Sequence, residues 1–328
     1  MKTLESAPMN PQRLIICPGQ GAQAVGMGKA WFERSPEARA TFAEADRILG
    51  SRLGSPLSTL CFEGPAERLN QTDVSQPAIF VTSVASWRGV LAASGATIAD
   101  MNVGATLGLS LGEYTALHVA GAIDFASALE LVTLRGRAMQ DAAEASPGGM
   151  VALIGADESQ ALAVCDKARG SDVLVCANFN APGQIVLSGS KPACERAAAA
   201  ASELGLRATV LVVAGAFHSP LMAPAADRLR EALRNTAVSA PSVPVISNVT
   251  AQAHAATASA SIADSIRARL VEQLTSPVRW SQSCQHAIAQ FPGASIHELS
   301  PGKTLAGLMR RIEKSAKVTS HDEPEPIA

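Results

Sequence analysis

The sequence predicts an α/β protein in which a small βαββαβ domain is inserted into a larger α/β unit. Three observations carry this. A short apolar run, residues 13–17 (RLIIC), stops at Pro18-Gly19 and gives way to helical patterning. Residues 149–213 run strand, helix, strand, strand, helix, strand, the split unit of a ferredoxin-like domain. Alternating strand and helix patterns then resume.

Element by element, residues 13–17 read as a buried strand. Residues 29–60 read as helical, with Phe32, Phe42, Ile48 and Leu49 on the apolar side. Residues 76–91 form a long apolar helix with Pro77 in its first turn. Small residues at 102–107 make a strand that runs into another helix. In the insert, 150–155, 172–180, 184–190 and 207–213 are strands, and 156–170 and 191–205 are helices, the second ended by Gly205. Beyond it, 244–249 and 294–299 are strands, and 258–274 and 302–317 are helical. The expected division is a large domain of 13–146 and 215–318, a small domain of 147–214, and disordered ends at 1–12 and 319–328.

Bulk properties exclude several classes. The 328 residues suffice for a full core, and 47% hydrophobic against 17% charged is an ordinary globular balance. A net charge of −2 gives no reason to expect a nucleic-acid partner. The cysteines at 17, 61, 165, 176, 194 and 284 form no C-x-x-C pair, which fits free thiols in a reducing compartment. Residues 1–12 lack the apolar core of a signal peptide and the arginines of a transit peptide. No apolar run is long enough to span a bilayer. A cytoplasmic monomer without a membrane partner is expected.

The chemistry concentrates in a few places. Gly108-Leu109-Ser110-Leu111-Gly112 matches the G-x-S-x-G nucleophile elbow in the required context, a strand before it and an amphipathic helix after it. The glycines let the chain turn sharply and lift the Ser110 hydroxyl, while the helix N-terminus behind it carries partial positive charge. A serine needs a base. Of six histidines, His218 is the best placed, in a loop between a strand and a helix; position alone does not decide it. Gly19-Gln20-Gly21-Ala22-Gln23-Ala24 fits a dinucleotide fingerprint, but residues 36–50 are helical where that fingerprint needs a second strand bearing an acid. The alternative is a loop whose backbone N–H groups meet a developing oxyanion.

Seven segments occur in the order of one family: CPGQGAQAVGMGKAW, GLSLGEYTALHVAGAI, LVTLRGRAMQ, NFNAPGQIVLSG, AFHSPLM, EQLTSPVRW and ELSPGKTLAGLMRRI. They are spread from residue 17 to residue 312, and together they resemble the malonyl-CoA:acyl carrier protein transacylases. The resemblance implies an α/β-hydrolase-like large domain carrying the ferredoxin-like insert. It implies transfer of malonyl from malonyl-CoA to the phosphopantetheine thiol of acyl carrier protein, supplying fatty acid synthesis. In its pattern Ser110 matches the nucleophile and His218 the base. Gln20 and Leu111 match the backbone oxyanion donors, Arg135 the carboxylate-binding arginine, and Gln273 the residue whose main-chain carbonyl orients the histidine. Met139, Asn180 and Phe217 match pocket positions. No metal or cofactor is implied, since malonyl-CoA is a substrate and phosphopantetheine belongs to the partner. One departure is Leu109, where many members carry histidine, and it bears on the shape of the acyl pocket.

The charge logic agrees. A malonyl carboxylate taken out of water must be paired, and arginine grips a carboxylate through two parallel hydrogen bonds. Without the resemblance, Arg135 reads equally well as a solvated helix arginine. Carrier proteins of this type are acidic, so a basic docking rim is expected, with Arg267, Arg269, Arg279, Lys303, Arg310, Arg311 and Lys314 as candidates. A thioesterase with a Ser–acid–His order could draw on Asp141, Asp157, Asp166 or Asp172. A polyketide acyltransferase and an inactive carrier-binding scaffold are the other rivals.

Overall fold

A computed structural model describes residues 12–324. The expected disorder at 1–11 and 325–328 lies outside the described residues. Among these, nine strands form two sheets. β1 (Arg13–Cys17), β2 (Val103–Gly108), β7 (Val245–Ile246), β8 (Ser295–Leu299) and β9 (Val318–His321) make a sheet of order β7-β2-β1-β8-β9, with every neighbouring pair parallel. β3 (Gly148–Ile154), β4 (Leu174–Ala181), β5 (Gln184–Ser190) and β6 (Arg207–Val210) make an antiparallel sheet of order β4-β5-β3-β6.

The parallel sheet is covered on both faces, which is why β1 reads as an unbroken apolar run. Ile15 and Cys17 join a core with Trp31, Phe42, Phe80 and Leu129, whereas Leu14 and Ile16 pack with Trp280, Leu305 and Met309. The antiparallel sheet divides likewise. Val151 and Leu153 lie under the helices Glu158–Arg169 and Lys191–Glu203, while Met150, Ala152 and Val186 join the main core.

Several boundaries differ from expectation. The helical stretch at 29–60 is three helices, Lys29–Arg34, Pro36–Leu49 and Leu57–Glu63. Ser35 stops the first in an extended conformation and caps the second by accepting from Ala38 N at 3.2 Å. The apolar helix spans Thr72–Ser94, so Pro77 lies inside it; burial of Thr72 to Gln76 holds the turns before the proline. The C-terminal helix ends at Ile312, where Glu313 turns extended.

The expected disorder from 319 is overturned within the described residues. Val318–His321 pairs along β8, Trp31 Nε1 donates to His321 O at 2.8 Å, and Asp322 accepts from Gly302 N at 2.6 Å. A polar segment orders here because its backbone completes the sheet. At the other end, Gln12 O accepts from Ser295 N.

This clasp carries two stacked imidazoles. His297 Nδ1 lies 3.0 Å from His321 Nε2, with the ring planes 8° apart, and both residues are buried. Burial pushes each down to about 4, helped at His297 by His321. Between pH 6.5 and 4 the unfolded chain therefore binds protons that the folded chain refuses, so stability is fully present above about pH 6.5 and falls as pH drops through that window. Thermal melts are expected to shift down steeply between pH 7 and 4.5, and less steeply in His321→Asn. Equal slopes in the two proteins would rule out this pair as a source of acid lability.

Candidate active site

Ser110 stands on the turn from β2 into the helix Gly112–Val119, with φ at 51°, in the left-handed region. Glycine is obligatory on either side. A Cβ on Gly108 would sit 1.8 Å from the carbonyl carbon of Gly112, and one on Gly112 2.1 Å from the carbonyl oxygen of Cys17. The turn is tied from a distance: Ser110 N donates to Asn248 Oδ1 at 2.6 Å, and Asn248 Nδ2 donates to Gly108 O at 2.6 Å.

His218, also at positive φ (55°), brings Nε2 to 2.8 Å from Ser110 Oγ. Its Nδ1 lies 2.8 Å from the main-chain oxygen of Gln273. A carbonyl only accepts, so Nδ1 carries the proton and Nε2 presents its lone pair to the serine hydroxyl. Burial, then the charge of Arg135, push His218 down to about 4, with the Gln273 carbonyl acting the other way. The imidazole is neutral at pH 7.

Arg135 comes from the middle of the helix Phe125–Ala145 and is 1% exposed. One terminal nitrogen donates to Gln76 Oε1 at 2.7 Å; the other donates to Ser110 Oγ and Gln273 Oε1, each at 3.0 Å. Its guanidinium lies 5.5 Å from the centre of the Tyr114 ring. Burial lowers its proton affinity, yet an arginine stays charged. Arg137, two residues on, is half exposed and pairs with Asp141 at 2.7 Å.

These groups meet at a cavity of about 560 Å³ beyond the C-terminal ends of β1 and β2, where α/β sheets place ligand sites. Gln20, Leu109, Ser110, Arg135, Met139, Phe217 and His218 line one side, and Met150, Asn178, Asn180 and Val186 of the antiparallel sheet line the other. Asn180 Oδ1 is buried there with no hydrogen-bond partner among the described residues. Leu111, fully buried, precedes the helix Gly112–Val119 as its N-cap, and Gln273 sits behind His218. A larger groove of about 990 Å³ lies elsewhere, lined by arginines engaged with Asp73, Glu130 and Asp141 and containing neither Ser110 nor His218.

The four aspartates open to a hydrolase triad are used otherwise. Asp141 pairs with Arg137 and Arg228, Asp157 caps the helix Glu158–Arg169, Asp166 pairs with Arg169 and Asp172 with Arg196. Sequence reasoning missed Gln76, Glu113, Asn248 and His254. Glu113, in G-x-S-x-G-E, had the only local signal, and it reads there as an ordinary first-turn acid.

The acyl transferase domain family matches residues 14–323. A malonyl CoA-acyl carrier protein transacylase of Escherichia coli K12 is 40% identical over 318 residues, covering 97% of this chain and 98% of the relative. The chain belongs to the malonyl-CoA:acyl carrier protein transacylase family. The crystal structure of the family's enzyme from Xanthomonas oryzae superposes with a TM-score of 0.87 at 41% identity, covering 96% of each chain. A malonyl-transacylase bound to its type II polyketide acyl-carrier protein superposes at 0.85 with 37% identity, covering 95% of this chain and 96% of that one. Like them, the chain pairs a parallel sheet with a separate antiparallel one. Among the described residues no helix is long and apolar enough to cross a membrane.

Proposed function

We propose that the chain moves malonyl from malonyl-CoA to the phosphopantetheine thiol of acyl carrier protein through a malonyl-serine. The observation that carries this is the buried Arg135 guanidinium 3.0 Å from the nucleophile Oγ, a cation with no use in a site for neutral acyl groups. His218 takes the Ser110 proton as Oγ attacks the thioester carbonyl. The tetrahedral oxyanion is met by the backbone N–H groups of Leu111 and Gln20. The C–S bond breaks, the leaving thiolate takes the proton from His218, and coenzyme A departs. The carrier thiol then gives its proton to His218 and attacks the acyl-serine; the C–O bond breaks, and the departing Ser110 Oγ takes that proton back from His218. Met139, Asn180 and Phe217 shape the acyl pocket, and Gln273 holds the imidazole through its carbonyl. The scheme needs no metal or cofactor, and a cytoplasmic setting suits its substrates.

We read residues 13–146 and 215–318 as an α/β-hydrolase-like domain and 147–214 as a ferredoxin-like insert. In support, β5 lies between β3 and β4, the strand order of a split βαβ unit. Of the cations considered for a docking rim, Arg267, Arg269 and Arg279 already pair with Asp264, Glu272 and Glu158, so Lys303, Arg310, Arg311 and Lys314 are the better candidates.

Brief mixing with malonyl-CoA followed by peptide mass spectrometry tests the reading. A malonyl adduct on Ser110, discharged by carrier protein faster than by water, is expected. An adduct lost equally fast without carrier would indicate a thioesterase, and no adduct an inactive scaffold.

A further inference from the structure

Behind the nucleophile, Glu113, His254 and Asn248 form a polar cluster that the scheme above does not use. Glu113, in the first turn of the elbow helix, is fully buried, yet its carboxylate meets three donors. His254 Nε2 lies 2.8 Å from Oε1, and Oε2 accepts from Asn248 N at 3.2 Å and Gln273 Nε2 at 2.6 Å. Asn248 and Gln273 are themselves 0% exposed, and His254 is 7% exposed. A buried carboxylate is costly unless it is hydrogen-bonded, so its retention beside the elbow needs a reason.

Gln273 supplies that reason. Its main-chain oxygen holds His218 Nδ1, its Oε1 accepts from Arg135, and its Nε2 donates to Glu113 and to Ser110 O. An amide side chain can flip, exchanging oxygen and nitrogen. A flip here would aim an NH2 at the guanidinium of Arg135. Glu113 accepts only, so it holds the amide with nitrogen inward and oxygen toward Arg135. Through Asn248 the same carboxylate also braces the N–H of Ser110.

We propose that Glu113, partnered by His254, is a positioning residue that fixes Gln273 and so sets the geometry of both the base His218 and the carboxylate-binding Arg135. This rests on the roles proposed above for His218 and Arg135.

The test compares Ser110 loading from malonyl-CoA and acetyl-CoA in wild type, Glu113→Gln, His254→Leu, His254→Gln and Arg135→Ala. Glu113→Gln keeps the shape but puts an NH2 in place of one acceptor oxygen, so either His254 or the pair Asn248 and Gln273 loses its acceptor. It is expected to lower malonyl loading on the order of 10- to 100-fold, as small misplacements of reacting groups do, and to cut the malonyl-to-acetyl ratio. Loss of stability alone would lower both thioesters equally. His254→Leu strips a donor from the carboxylate and is expected to cut the ratio less, with His254→Gln restoring it. If Arg135→Ala cuts the ratio while Glu113→Gln and His254→Leu keep it, the positioning role is wrong. If Arg135→Ala keeps the ratio, the reading of the site itself fails. Should Glu113→Gln not fold, the His254 pair decides: equal ratios in Leu and Gln overturn the proposal.

Discussion

Replacing Arg135 with alanine is expected to lower malonyl loading of Ser110 on the order of 10- to 150-fold relative to acetyl loading. A hydrogen bond to a charged group is worth about 1.5–3 kcal/mol, and each 1.4 kcal/mol is tenfold. The guanidinium is buried and its fork is spread over Gln76, Ser110 and Gln273. A distal carboxylate entering the cavity would take over part of that fork, whereas acetyl offers nothing to it. Arg135→Lys is expected to recover only part of the preference, because a point charge cannot reproduce two parallel bonds. Arg137 is the control. Its side chain is 56% exposed and tied to Asp141, so Arg137→Ala should leave the ratio unchanged. Melting curves separate lost specificity from lost folding, since Arg135→Ala strips Gln76 Oε1 and Gln273 Oε1 of a donor. If Arg137→Ala loses the ratio and Arg135→Ala keeps it, the wrong arginine carries the assignment.

How much of this site was legible depended on how local its signal was. Ser110 announced itself because the elbow is a short-range device: two glycines, a strand and a helix between Val103 and Val119. His218 lies 108 residues away, and its pairing with Ser110 is a product of tertiary structure that no spacing encodes. Arg135 was ambiguous on composition, since an exposed and a buried helix arginine look alike in sequence; the family pattern singled it out. Asn248 and His254 left no trace, because their partners are Ser110 and Glu113, 138 and 141 residues distant.

The same rule separates the elements. The βαββαβ series of 149–213 was readable because each strand and helix has its own periodicity and turn residues. The edge strand Val318–His321 was not. Three of its four residues are polar and a proline follows, so nothing local favours order; pairing with β8 and the bond from Trp31, 290 residues away, hold it.

Loss of the proposed nucleophile, Ser110, or of its proposed base, His218, is expected to have the largest effect of all. Ser110→Ala should leave no acyl-enzyme, and His218→Ala should slow loading on the order of 10³-fold or more, since hydroxyl and imidazole act as a unit. The pH dependence follows from what surrounds the imidazole. In the proposed role His218 works as a base only when neutral, and it is held near 4, so loading at low malonyl-CoA should be flat across neutral pH and fall only as pH approaches 4. At saturating malonyl-CoA the limb should move upward. The bound carboxylate offsets the positive charge of Arg135, one of the two causes that hold the imidazole down, so the complex protonates more readily. Acetyl-CoA carries no carboxylate, so its two limbs should coincide more closely. Initial rates of Ser110 acylation from about pH 3.5 to 8, with circular dichroism to confirm folding at each point, supply the readout. A low-substrate limb at or above pH 6.5 would mean that a different group titrates, and His218 would lose its role as the base.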